Sequence, residues 1–268
     1  MSSSINTNVN SINAQRNLAK TGLSLSVAME RLSSGMRVNG AKDDAAGLAI
    51  SERMDTQTRG MNVAIRNAND AISLAATAEG SLGAISQNLQ RMRELAVQAA
   101  NGTNTAADIT SISAEFALLK AENDRVVTNT KFNNTAVLAA ATFTFQVGAN
   151  QSADNQIAVA ATAPTFTNAG TIADSTAAIA QIAALDVDID AVTTLRATWG
   201  ANQNRFETVI NNLRVGAENS AAARGRIVDA DYAQETANLT RAQVLQQAGT
   251  AMVAQANQGP NGVLALLR

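Results

Sequence analysis

The chain has 268 residues, of which 46% are hydrophobic but only 3% aromatic, so its apolar content is mostly small and aliphatic and suits long, thin helical packing. It contains no Cys and no His, which excludes disulfides, thiolate nucleophiles, Ser-His-Asp triads and zinc sites with Cys or His ligands. The 20 Lys and Arg against 22 Asp and Glu give a net charge of −2 and no bulk electrostatic case for nucleic acid or an anionic membrane.

Apolar spacing predicts a first helix from about residue 5 to 33. Apolar and small side chains there step by 4, 3, 4, 3 and 4 residues, the rhythm of a coiled-coil seam, at Leu18, Gly22, Leu25, Met29, Leu32 and Met36. Gly35 and Asn39-Gly40 predict a helix stop and a turn, because Gly and Asn-Gly accept positive φ at low cost.

Two further helices are predicted over about 44–100 and 105–127, separated by turn residues at 101–104. Asp43 and Asp44 precede the first of these helices. We expect them to cap it rather than to form an acid/base pair.

The spacing of apolar residues changes from helical to alternating in the middle of the chain. Alternation over 142–150 and 156–159 predicts a β-hairpin, the only good strand signal in the sequence. A helix from about 175 to 215 or beyond follows, then an interruption at 225–232 and a terminal helix over 232–257. That helix repeats the seam of the first, at Ala242, Leu245, Gly249, Met252 and Ala256.

Matching seams at both chain ends predict a mainly α fold. Long antiparallel, coiled-coil helices from the two ends would lie alongside each other and form two domains that are discontinuous in sequence, with the hairpin at the far tip.

Two groups of residues that could suggest a binding site are interpreted as structural. Asp186, Asp188 and Asp190 resemble a calcium loop, but the sixth and twelfth positions hold Ala191 and Ala197, so we interpret these carboxylates as lying near a helix start. Phosphate-binding loops are absent from the sequence, and no cofactor is expected. The single Trp199 and Tyr232 are interpreted as packing residues. The N-terminus lacks the pattern of a cleaved secretory signal, and no apolar run is long enough for a membrane helix.

Three segments resemble the bacterial flagellin family. They are Glu30-Arg-Leu-Ser-Ser-Gly-Met-Arg-Val-Asn-Gly-Ala-Lys-Asp-Asp-Ala-Ala-Gly-Leu-Ala49, Ala223-Arg-Gly-Arg-Ile-Val-Asp-Ala-Asp-Tyr-Ala233 and Leu239-Thr-Arg-Ala-Gln-Val-Leu-Gln-Gln-Ala-Gly249. The resemblance covers about residues 1–150 and 200–268, with little between the two halves, so it implies a short member without large outer domains. It implies a terminal coiled-coil filament-core domain of residues 1–43 and 228–268. Residues 44–227 would form a helical domain with a β-hairpin near 140–165.

The resemblance implies a structural subunit without catalysis. It would be exported unfolded, be secreted to the cell exterior, and polymerise through its terminal helices into the flagellar filament used for swimming. The terminal helices, which bury little surface alone, are expected to be disordered in the monomer and to fold on assembly. The residues expected to pack the filament core are Leu18, Leu25, Met29, Leu32, Ala242, Leu245 and Met252.

The implied partners are copies of the same chain, a flagellar secretion chaperone, and the hook–filament junction and filament cap proteins. Val263, Leu264 and Leu267 are the expected chaperone or terminal-helix contacts. The resemblance also implies contact of a host flagellin-sensing Toll-like receptor with Arg91, Leu95 and Glu115, whereas spacing alone favours a solvated helix face with a packed Leu.

Two other classes of protein stay open at this point. One is an axial adaptor at the hook–filament junction, against which the intact segment 239–249 argues. The other is an enzyme, against which the missing His and Cys argue.

Overall fold

The structure, a computed structural model, describes residues 7–168 and 170–265, with side chains described up to residue 258. The fold is mainly α-helical, as predicted. Its helices are α1 (Val9–Ser34), α2 (Ala45–Ala99), α3 (Ala106–Asn129), α4 (Ser175–Val228) and α5 (Tyr232–Ala265). Its strands are β1 (Lys131–Phe132), β2 (Thr135–Ala136), β3 (Ala141–Gln146) and β4 (Gln156–Ala161).

The chain divides into two compact units. Unit 1 contains Met1–Thr56 and Asn219–Arg268, and unit 2 contains Gln57–Glu218. The division falls inside α2 and α4, whereas the domain boundaries expected from the sequence lie close to the ends of helices.

Unit 2 has a continuous hydrophobic core. Leu82, Leu89 and Phe116 are completely buried in it, and Trp199 is 3% exposed. The interpretation of Trp199 as a packing residue is therefore confirmed. The ring of Phe145 meets Phe206 edge-on, with the ring centres 5.5 Å apart, which ties β3 to α4.

The predicted hairpin is confirmed, and it belongs to unit 2. Strands β3 and β4 pair antiparallel from Ala141↔Ala161 to Gln146↔Gln156. The hairpin then lies along α2: Asn67 Nδ2 donates to the Gln146 carbonyl at 3.0 Å, and a Cβ on Gly60 would come within 2.7 Å of the Cβ of Ala149. Alternate residues of β4 are buried in the core, so packing draws the hairpin against the helices.

A second, shorter hairpin was not predicted from the sequence. Strands β1 and β2 pair antiparallel around Asn133 and Asn134, whose φ angles are 48° and 63°. Two successive residues with positive φ make the tight turn that suits a two-residue hairpin, and Asn tolerates this conformation. The Asn-Asn pair was the signal that could have revealed it.

The helix ends test the predicted stops. Gly35 ends α1 with φ of 70° and donates its N–H to the Arg31 carbonyl, as predicted. Gly40 is not among the described glycines with positive φ; the Asp43 carboxylate instead accepts from the N–H groups of Asn39 and Gly40. Asp44 caps α2, because its Oδ1 accepts from Gly47 N–H at 2.8 Å.

The expected break at 225 lies four residues too early, because Asp229 is the first residue after the helix. Helix α4 continues through Gly225 to Val228, and Asp229 N–H donates to the Gly225 carbonyl in the helical pattern. A single glycine lowers helix propensity by only about 1 kcal/mol, which tertiary packing readily offsets.

Candidate assembly interface

Helices α1 and α5, called here the terminal helix pair, run antiparallel in unit 1. Ser11 Oγ donates to Asn257 Oδ1 at 2.7 Å near one end, and Arg31 Nη1 donates to Glu235 Oε1 at 3.1 Å near the other. The partner number falls as the α1 number rises, so the prediction that helices from the two chain ends pair is confirmed.

Small residues let the two helices approach closely. Ala28 and Ala242 are buried, and a Cβ added to Gly249 would lie 3.1 Å from Leu18 Cδ1. Leu18, Leu25 and Leu32 are half-buried in the same unit. The seam inside one chain is therefore narrow.

Much of the apolar surface of the terminal helix pair stays uncovered within a single chain. Among the residues expected to pack the filament core, Met29 is 50% exposed, Leu245 51% and Met252 63%. Other large apolar side chains of the pair are also exposed, namely Val9, Ile12, Leu23, Val27 and Val244. An uncovered apolar surface of this kind marks an interaction site.

The expected chaperone contacts cannot be placed in the same way. Val263 and Leu264 lie in α5, but their side chains are outside the described residues, and Leu267 is outside the described chain.

The two connections that flank the terminal helix pair are tied together by backbone hydrogen bonds. Arg37 N–H donates to the Val228 carbonyl at 2.6 Å, and Ala230 N–H donates to the Gly35 carbonyl at 2.9 Å. Tyr232, the first residue of α5, lies with its hydroxyl near Gly35 and remains 56% exposed. These hydrogen bonds hold the end of α1 next to the beginning of α5.

A charged cluster lies on the surface of unit 2, where α2 meets α3. Arg91 Nε donates to Glu115 Oε1 and its Nη1 donates to Glu94 Oε2, both at 3.0 Å. The hydrogen bonds from Arg91 to Glu94, and then to Glu115, raise the pKa of this guanidinium above its ordinary value.

Leu95 does not share that surface. Its side chain is 2% exposed and belongs to the core of unit 2, so Leu95 itself is not available to an outside partner as an apolar anchor. The interpretation from spacing alone, a packed Leu beneath a solvated face, describes this residue correctly. The helix turns Arg91 outward and Leu95 inward, although the two residues are only one turn apart.

The three aspartates at 186–190 do not lie near a helix start, so that expectation is wrong. They lie within α4, where Asp186 pairs with Arg93 at 2.6 Å and Asp190 is exposed. Asp188 is 1% exposed. Within the described residues no cluster of acidic side chains could hold a metal ion.

Asp188 instead anchors the segment that precedes α4. Its Oδ1 accepts from Thr167 N–H at 2.7 Å and from the Thr167 hydroxyl at 2.8 Å. Its Oδ2 accepts from Asn168 N–H and from Asn168 Nδ2. The sequence carried a signal for this burial, because Asp188 shares a helix face with the buried Leu185 and Val192.

In the described part of the chain, no helix is both long and apolar enough to span a membrane.

The long helices and the partly covered terminal helix pair together define the class of protein. It is an α-helical structural subunit with an exposed apolar surface on its terminal helices.

The matches to known proteins give the family. Residues 5–142 match the bacterial flagellin N-terminal helical region, and residues 182–267 match the bacterial flagellin C-terminal helical region. The chain belongs to the bacterial flagellin family. It is a structural protein and not an enzyme.

Individual relatives match over almost their full length. The chain is 45% identical over 273 residues to a flagellin of Halalkalibacterium halodurans, covering 98% of this chain and 99% of the relative. It is 40% identical over 302 residues to a flagellin of Bacillus subtilis, covering 98% and 99%. The crystal structure of Bacillus cereus flagellin aligns with a TM-score of 0.51 at 35% identity, over 59% of this chain and 94% of that one.

Proposed function

We propose that this chain polymerises into the flagellar filament when copies of it cover the exposed apolar face of the terminal helix pair. Family membership makes the chain a structural subunit of a flagellar filament. The observation that supports this route is the exposure of Met29, Leu245 and Met252 on two helices that bury little between themselves.

The energetics favour association through this face. Each half-exposed Leu, Met or Val that a neighbour covers contributes on the order of 1 kcal/mol, from about 25 cal/mol per Å² of apolar area. Such contacts, repeated from copy to copy without closing a ring, give an open helical filament. Filament formation then orders the terminal helices, which have few buried residues of their own.

Electron microscopy of the purified protein after seeding tests this function. Filaments are expected from the full chain. A monomer that never polymerises, alone or on seeds, would contradict the proposal and would favour the alternative of an axial adaptor at the hook–filament junction.

We also propose export and an extracellular location, together with the partners that go with them. Support comes from the family alone: a secretion chaperone would bind the C-terminal part of α5, and the junction and cap proteins would meet the growing filament. Extracellular protein is expected to be uncleaved apart from loss of Met1. N-terminal sequencing of filaments from culture supernatant measures this, and a start deep inside α1 would contradict it.

A host flagellin-sensing Toll-like receptor is a further proposed partner, through Arg91 and Glu115. Both side chains are about half exposed and already hydrogen-bonded to each other, which presents a preformed charge pair. Leu95 would act only by packing α2 against the core of unit 2. In a cell reporter assay with monomer, Arg91→Ala should weaken the response severalfold, and Arg125→Ala, at another exposed and paired Arg, should not. An unaltered response in the Arg91→Ala/Glu115→Ala double variant would overturn the proposal.

A further inference from the structure

A groove of about 480 Å³ runs between the two helices of the terminal helix pair. We call it the basic groove, because three of its lining residues are cationic and one is acidic. Its lining includes Lys20, Arg31, Glu235, Asn238, Arg241 and Leu245.

The one carboxylate in the basic groove is already engaged. Glu235 Oε1 accepts from Arg31 Nη1 at 3.1 Å, and its Oε2 accepts from Asn238 Nδ2 at 3.4 Å. The side chain of Glu235 is only 9% exposed, so this carboxylate neutralises one cation and leaves a local charge of +2. Asn238 Oδ1 in turn accepts from Arg241 Nη1 at 3.2 Å, a neutral partner that does not offset the charge.

One donor in the basic groove has no acceptor. Among the described residues, the buried Nε of Arg31 has no hydrogen-bond partner. A buried N–H without an acceptor costs free energy, and a carboxylate is the strongest acceptor that a protein offers to a guanidinium. With three cations and one carboxylate already engaged, the basic groove can accommodate a further anionic group.

That anion is not supplied by the terminal helix pair. Glu30 and Glu235 are the only acidic residues in α1 and α5, and Glu30 accepts from Asn39 Nδ2. Of the 22 acidic and 20 basic residues of the chain, unit 2 holds 14 and 10, which leaves 8 and 10 in unit 1. A second copy of this chain thus carries both a basic groove and an excess of carboxylates.

We infer that the basic groove receives a carboxylate side chain from a neighbouring copy of this chain in the filament. This inference rests on the proposed function and names a contact within it. Apolar contacts alone do not fix the register between neighbouring subunits. A seam of repeating small residues would allow one subunit to shift along another by a helical turn or a heptad. A charge pair at one point of the seam fixes the register between neighbouring subunits, because a misplaced copy would leave the cations of the basic groove unpaired.

Seeded polymerisation of the full chain at low and high NaCl tests the inference. The variant is Lys20→Gln/Arg241→Gln, which removes two cations from the basic groove and leaves the Arg31–Glu235 pair intact. Its critical concentration at low salt should rise about tenfold, and the dependence of critical concentration on salt should flatten. Arg16→Gln is the matched control, because Arg16 lies on α1 outside the lining of the basic groove and donates to Asn13 Oδ1 on the same helix.

A second variant, Lys20→Arg/Arg241→Lys, distinguishes the effect of charge from the effect of side-chain packing. It keeps both positive charges and should assemble like the parent chain. The inference is overturned if the Gln variant assembles like Arg16→Gln, if Arg16→Gln loses as much, or if the charge-conserving variant fails equally. Failure of the parent chain to form any filament would instead defeat the proposed function, so the two failures are distinguishable.

Discussion

The two units of this chain differ in where they place their apolar side chains. The largest fully buried side chains of the described residues, among them Phe116, Phe206 and Leu82, all lie in unit 2. Unit 1 buries Ala28, Val38, Val228 and Ala242, and leaves its larger apolar residues exposed on the terminal helix pair. Unit 2 is thus stabilised by its own core, whereas unit 1 leaves apolar surface that, in the filament proposed above, other copies would cover.

This difference separates stability from assembly. A substitution in the core of unit 2 should change the free energy of unfolding of the single chain. A substitution on the terminal helix pair should change the critical concentration for polymerisation and leave unit 2 folded.

Phe116→Ala should have the largest effect. Loss of a fully buried aromatic ring from a close-packed core should lower the free energy of unfolding by about 3–5 kcal/mol. Leu118→Ala, two residues away on α3 and 73% exposed, should change it by less than about 0.5 kcal/mol. Urea denaturation followed by circular dichroism measures both, and equal losses would contradict the assignment of the core.

Leu245→Asp should act on assembly instead. Leu245 is half exposed in the single chain, so the charge is tolerated there, but burying it between copies should cost about 3 kcal/mol, or about a hundredfold in critical concentration. Sedimentation of filaments measures the change, and thermal melting should show unit 2 unaffected. Leu245→Met keeps an apolar side chain and should assemble normally; normal yield from Leu245→Asp as well would reject the seam.

Asp188→Ala tests a polar element of unit 2. Its removal leaves the N–H groups of Thr167 and of the buried Asn168 without their acceptor, which should cost about 1–3 kcal/mol. Asp190→Ala, at an exposed position on the same helix, is the control and should be close to neutral. Hydrogen exchange should show faster opening of the segment around Thr167 only in the first variant; unchanged protection there would refute the anchor.

The smallest effect concerns pH. Hydrogen bonds from the Thr105 hydroxyl, and then from the Thr105 backbone N–H, hold the pKa of Asp108 below its ordinary value. Since the folded pKa lies below the unfolded one, the capping box contributes stability above the unfolded pKa, and that contribution is lost as the pH falls through the folded pKa. An NMR titration of the Asp108 carboxyl measures this. Thr105→Ala should return the pKa upward, and an ordinary pKa in the parent chain would refute the capping box.

Much of the secondary structure follows from local sequence. The long helices, the stop at Gly35 and the cap at Asp44 were all predicted, because periodicity, glycine and capping residues act within a few positions of themselves. The pairing of α1 with α5 was also predictable, because both chain ends carry the same heptad seam.

Features that depend on what packs from elsewhere were not predictable. The hairpin lies along α2, where Gly60 leaves room for Ala149, a contact between residues 89 positions apart. Leu95 is buried in the core of unit 2, and Asp188 is anchored by hydrogen bonds from Thr167, a residue of the irregular segment before α4. Periodicity determines which residues share a helix face, but only the tertiary structure decides which face is covered, since coverage depends on the neighbours that long-range packing supplies.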